Sequence, residues 1–177
     1  MVNTTKRIWT IGHSNRSSEE FLDLLRAASM ERVADVRRFP GSRAHPHFGA
    51  GPLAEALQAA GIEYRHFIEL GGRRSRAKGD SPNRGWRVEA FNAFADTMAT
   101  PQFAASLDEL IASAEQTRTA IMCAEALPWR CHRRLIADAL LIRGWQVQDI
   151  MGPGKSTPHL LTPFARVDEG RLTYPAV

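Results

Sequence analysis

Cysteine is scarce in this chain: 177 residues hold only Cys123 and Cys131. Two thiols cannot form a disulfide scaffold. In a reducing compartment they read as free thiols, metal ligands or a catalytic pair. No apolar run approaches the ~20 residues a membrane helix needs, which excludes a spanning segment. The first residues, MVNTTKRIWTIG, lack the apolar core of a secretory signal. A cytoplasmic protein with no membrane partner is therefore expected. Internal repeats and long low-complexity tracts are absent. Lysine is rare as well, with three against 20 arginines.

The arginine bias has two readings. A planar guanidinium fork matches phosphate or carboxylate and suggests an anionic partner, either a small molecule or nucleic acid. A codon preference would produce the same count. The net charge of +4 is modest, and 44% hydrophobic with 24% charged residues is ordinary for a globular chain. The basic residues cluster, with seven between Arg65 and Arg87 against Glu69 and Asp80.

Apolar periodicity alternates along the chain. Ile8–Ser14 reads as a buried strand. Residues 17–28 read as a helix, with Ser17 and Glu20 fitting a capping box. Glu31–Pro40 reads as a second strand that stops at the proline. Gly51–Gly61 reads as a helix and Ile62–Gly71 as a third strand. Residues 72–85 are basic and rich in Gly, Ser and Pro, and are expected to form a mobile loop. Two helices follow, divided at Pro101. A fourth strand begins at Thr119, a helix runs through HRRLIADALLIRG, and QVQDIM is a fifth strand. Residues 162–177 suggest a hairpin about Asp168–Gly170. This order predicts one α/β domain over 1–177, Rossmann-like, with a mostly parallel sheet of about five strands and helices on both faces.

In such a sheet, polar residues just after the strands converge on one edge. His13, Ser14 and Asn15 follow strand one, Asp35, Arg37 and Arg38 close strand two, and CAEALPWRCHRR (Cys123–Arg134) links strand four to a helix. Cys131 sits at a helix start beside His132 and Arg133, where a thiol pKa should fall below about 8.5. Packing as a buried cysteine is the bland alternative. Cys123 reads as a core residue, since its spacing from Cys131 suits neither a CxxC pair nor a zinc knuckle. Glu125 and Asp35 are candidate nucleophiles or general bases, or equally partners of nearby arginines. His13 and His132 could carry protons. Arg37, Arg133, Arg73 and Arg74 could hold an anion, and Trp129 could stack on a base or cap the turn. His159 could close the pocket. His45 and His47 are weak metal candidates, and no metal is assigned because nothing fixes their spacing. The first turn has no GxGxxG, so a dinucleotide fingerprint is missing and no cofactor is identified.

The segments TIGHS, DVRRFPGSR, GIEYRHFIELGG and C-x-E-x5-CHRR-x-IA together resemble the family called domain of unknown function 488, from about Ile8 to Met151. The resemblance implies a compact Rossmann-like domain. Its pattern maps onto His13, Ser14, Asp35, Arg37, Pro40, Ser42, Cys123, Glu125, Cys131, His132 and Arg133. Residues 73–85 look like the region where members vary.

Three functions fit these residues. The first is an enzyme acting on a nucleotide-like or nucleic-acid-derived anion, with N-glycosidic hydrolysis as one form. The second is thiol, redox or metal chemistry at Cys131 and His132. The third is a non-enzymatic nucleic-acid-binding module using the basic loop.

Overall fold

The computed structural model describes residues 5–177. Five strands lie parallel: β1 (Arg7–Gly12), β2 (Arg32–Asp35), β3 (Glu63–His66), β4 (Thr119–Cys123) and β5 (Gln146–Gly152). A short strand, β6 (Lys155–Pro158), pairs antiparallel with β5 and completes a six-stranded sheet in the order β3-β2-β4-β1-β5-β6. The fold is a single Rossmann-like α/β domain. β6 adds an edge to the five expected strands, formed where Pro153 and Gly154 turn the chain back. A separate two-stranded hairpin pairs β7 (Arg166–Asp168) with β8 (Arg171–Thr173).

Side-chain alternation along the buried strands feeds two apolar layers. On one face, Trp9, Ile11, Val33, Ala120 and Met122 meet helix α1 (Ser18–Ala27) and helix α2 (Ala50–Ala59). On the other, Ile8, Ala34, Ile121 and Val147 pack under α3 (Glu89–Thr97), α4 (Pro101–Gln116) and α5 (Arg133–Ile142). The Ser17–Glu20 capping box is formed and fixes the start of α1. No helix among the described residues is long and apolar enough to cross a membrane.

Strand β2 ends at Asp35, earlier than the sequence suggests. The Asp35 carboxylate accepts the Arg37 backbone N–H at 3.0 Å and its guanidinium at 2.9 and 2.8 Å. That local ring of bonds turns the chain off the sheet before Pro40. Residues 72–85 contain no regular element, but they are tied to α3. Asp96 takes bonds from Ala77, Ser81 and Asn83. Arg76 pairs with Glu89 and Asp96.

Candidate functional site

The carboxyl ends of β1, β2 and β4, adjacent through β4, open into one cleft of about 900 Å³. Gly12 allows this closeness. A Cβ there would lie 1.7 Å from the Glu125 carbonyl oxygen and 2.9 Å from the Ala126 Cα, so only glycine lets the Cys123–Ala126 turn lie against β1. The turn is stitched on by bonds from His13 N–H to the Cys123 carbonyl (2.9 Å) and Ser14 N–H to the Ala124 carbonyl (2.8 Å). Ser14 takes a left-handed φ of 52° to make this approach.

Arg133 supports the same turn from beneath. It is fully buried and donates to the Glu125 and Ala126 carbonyls and to Thr10 Oγ1. Thr10 in turn donates to Asp149. The guanidinium is thereby engaged inside the protein and does not line the cleft. Asp35 is likewise sealed: both oxygens take bonds from Arg37, and Tyr64 donates to Oδ2 at 2.6 Å. Burial and this carboxylate together push the Tyr64 phenol up.

His13 lies at the cleft wall, stacked on Phe48 at 4.4 Å. Its Nδ1 donates to the Ser14 carbonyl, leaving Nε2 toward Arg37 at 3.4 Å. Burial lowers its pKa to about 4, so the ring is neutral near pH 7.

The cleft floor is built from Cys123, Cys131 and His132. The two cysteines are eight positions apart, yet the turn Pro128–Arg130 folds the chain back so that α5 starts beside the end of β4. His132 Nδ1 is 3.7 Å from each sulfur. Its Nε2 lies 2.8 Å from the Val36 carbonyl, which can only accept, so Nε2 carries the proton and Nδ1 offers a lone pair. Burial pushes the Cys131 thiol up, but the neighbouring Cys123 thiol and Arg133, whose backbone N–H donates to Cys131 Sγ at 3.5 Å, outweigh it and hold Cys131 well below the usual thiol range. Cys123, donating to Cys131 and itself buried, is pushed well above that range. The site can therefore present a thiolate to the cleft, or three soft donors together.

The rim carries charge. Arg38, Arg73 and Arg130 line the cleft, and none forms a salt bridge among the described residues. Glu125 is the one carboxylate in the lining, and it stands exposed. Ser14, Asn15, Arg37 and His45 complete the polar wall, with Phe91 and Phe94 opposite.

Thus His13, Ser14, Asn15, Arg37, Arg73, Glu125, Cys131 and His132 are brought together. Asp35, Arg74, Arg133, Trp129 and His159 are not. Arg74 donates to the Gly71, Ile68 and Glu69 carbonyls. Trp129 borders a neighbouring groove with Trp86 and Arg134. His159 bonds Asp138 on the far side of α5. Of the two loop histidines, His45 is on the rim, whereas His47 donates to the Arg16 carbonyl and packs on Phe48. Sequence reasoning placed Arg38 at the end of strand two but counted neither it nor Arg130 among the anion-holding arginines, and it favoured core packing for Cys123. The signal for Cys123 was its position at the opposite end of the same strand-to-helix turn as Cys131.

Comparison with curated proteins and with solved structures finds no match. The model of the family described as Domain of unknown function DUF488 matches residues 17–140, most of the chain, and the protein belongs to that family.

Proposed function

We propose that this protein is an enzyme that binds a nucleotide-like anion in the cleft, with the reacting end of the ligand against Cys131 and His132. One observation carries the reading: three guanidiniums that form no salt bridge among the described residues line the same cleft as a floor where two sulfurs and an imidazole lone pair converge. The guanidiniums suit a phosphate or carboxylate, each charge-assisted bond contributing about 1.5–3 kcal/mol. The enclosed floor suits chemistry away from bulk water. The basic loop supports a small molecule better than a nucleic-acid surface, since Arg74 and Arg76 are engaged internally.

Calorimetric titration with AMP and inorganic phosphate, with adenosine as the neutral control, tests the reading. AMP should bind, adenosine should bind far more weakly, and Arg73→Ala or Arg130→Ala should weaken AMP by about 10-fold or more. Equal binding of AMP and adenosine, or no binding of AMP or phosphate, would refute it.

Glu125 favours a second reading, because it is the only cleft carboxylate able to serve N-glycosidic cleavage. Asp35 cannot share that role while bonded to Arg37 and Tyr64. A screen for base release from nucleosides and nucleotides decides between the two. Release abolished by Glu125→Gln and retained by Cys131→Ser favours the carboxylate; the reverse favours the floor.

A further inference from the structure

We infer that Cys123, Cys131 and His132 form a zinc-type metal site whose fourth position opens into the cleft. The inference rests on the reading of this floor as the reacting centre and supplies its chemistry.

Donor spacing is the first argument. With metal–sulfur bonds of about 2.3 Å and metal–nitrogen bonds of about 2.0–2.1 Å, a tetrahedral site has N···S edges of about 3.6 Å and S···S edges of about 3.8 Å. Both N···S separations here are 3.7 Å, and all three donor atoms lie within 4.8 Å of one another. Both N···S edges thus already match a tetrahedral ion, and the second sulfur stands close to the first.

The second argument is the supporting bond. A ligating histidine commonly donates its other ring N–H to a carbonyl or carboxylate, which fixes the tautomer and aims the lone pair. His132 does this through Nε2 and the Val36 carbonyl, and packs edge-on against Phe94. The ring has little freedom to turn Nδ1 away from the sulfurs.

The third argument is access. A Cβ at residue 72 would sit 3.1 Å from His132 Nδ1. Glycine there leaves the approach to the donor clear. All three residues line the cleft. Two sulfurs and one imidazole with an open position match catalytic rather than closed structural zinc sites. Thiolate donors select zinc or Cu(I) over magnesium or calcium. Binding a divalent ion needs both sulfurs as thiolates, so it displaces to solvent the proton that Cys123 carries, and the bound ion would polarise an oxygen of the anion held by the rim.

Cobalt(II) titration of the full, chelator-treated protein under reducing conditions tests the site. About one equivalent should bind, with the sulfur-to-cobalt absorption and strong visible bands of a tetrahedral thiolate site, and zinc should displace it. Cys123→Ser, Cys131→Ser and His132→Gln should each weaken the binding by about 100-fold, the upper end of what losing even a supporting hydrogen bond costs. Circular dichroism establishes that each variant is folded. Should one variant fail to fold, the other two decide. Glu115→Gln, exposed on α4 and outside the cleft lining, should bind cobalt unchanged. Absence of the charge-transfer band, or its survival in folded variants, overturns the site. AMP titration of the chelator-treated protein separates the two readings. AMP binding without a cobalt band removes the metal and leaves the anion pocket. A cobalt band without AMP binding removes the anion reading alone.

Discussion

Replacing His159 with glutamine should remove a pH-dependent part of the protein's stability. The His159 side chain is 6% exposed and lies between two carboxylates, with Nε2 at 2.8 Å from Asp138 and Nδ1 at 3.7 Å from Asp149. Burial alone would lower its pKa, but the Asp138 and Asp149 bonds and charges dominate and raise it from 6.5 to about 9. By linkage, such a shift corresponds to about 3 kcal/mol. The folded value lies above the unfolded one, so the stabilisation is complete below pH 6.5 and is lost as pH rises through 9. Glutamine keeps a neutral donor for Asp138 while removing the charge. Urea unfolding of both proteins at pH 6 and pH 10 should show wild type ahead of His159→Gln by about 3 kcal/mol more at pH 6 than at pH 10. Other titrations cancel in the difference. A gap that stays constant, or widens with pH, would show that His159 is not held as the cation.

Asp35→Asn should destabilise by about 3–5 kcal/mol in chemical melts, because it leaves the buried Arg37 charge without its partner, whereas Tyr64→Phe should cost only about 1 kcal/mol. An Asp35→Asn cost below that of Tyr64→Phe would contradict the buried pair. His13, with a pKa lowered to about 4, should titrate by NMR near that value; since its folded pKa is depressed, stability should fall as pH drops from 6.5 toward 4. A midpoint near 6.5 would mean that the ring is solvated. Gly12→Ala should cost at least about 3 kcal/mol, more than ordinary overpacking, because backbone rather than a side-chain end meets the new Cβ. A near-wild-type melt for that variant would mean that the Cys123–Ala126 turn is free to move.

Much of this architecture was written in local patterns. The run of β-branched and apolar residues from Ile8 to Ile11 marked β1, and Ser17 with Glu20 marked the start of α1. Convergence at the strand ends followed from the parallel order. What local reading could not supply were long-range partners. Tyr64 lies 29 positions from Asp35, and only their parallel registration seals that carboxylate. Arg133 at a helix start looked like an anion binder, but Thr10 and the Glu125 and Ala126 carbonyls reach it first. His159 was misplaced for a similar reason. β6 brings it back across β5 to Asp138, away from the cleft. The Cys123–Cys131 pair escaped spacing rules because those rules assume a tight knuckle. Here a strand end and a helix start set the distance instead.

The sheet order has a consequence for how the chain acquires its shape. β1 is synthesised before the other strands of its sheet, yet its strand neighbours among the described residues are β4 and β5, more than 100 positions later. On the ribosome, Ile8, Trp9 and Ile11 have no native strand to pair with until Thr119 and the residues after it have emerged. β2 and β3 can pair early; the first strand must wait, with its apolar side chains exposed, and then insert between two late ones. Such distant parallel pairing is slow and open to aggregation. The cleft, which draws on both ends of this delay, is therefore among the last features of the molecule to exist.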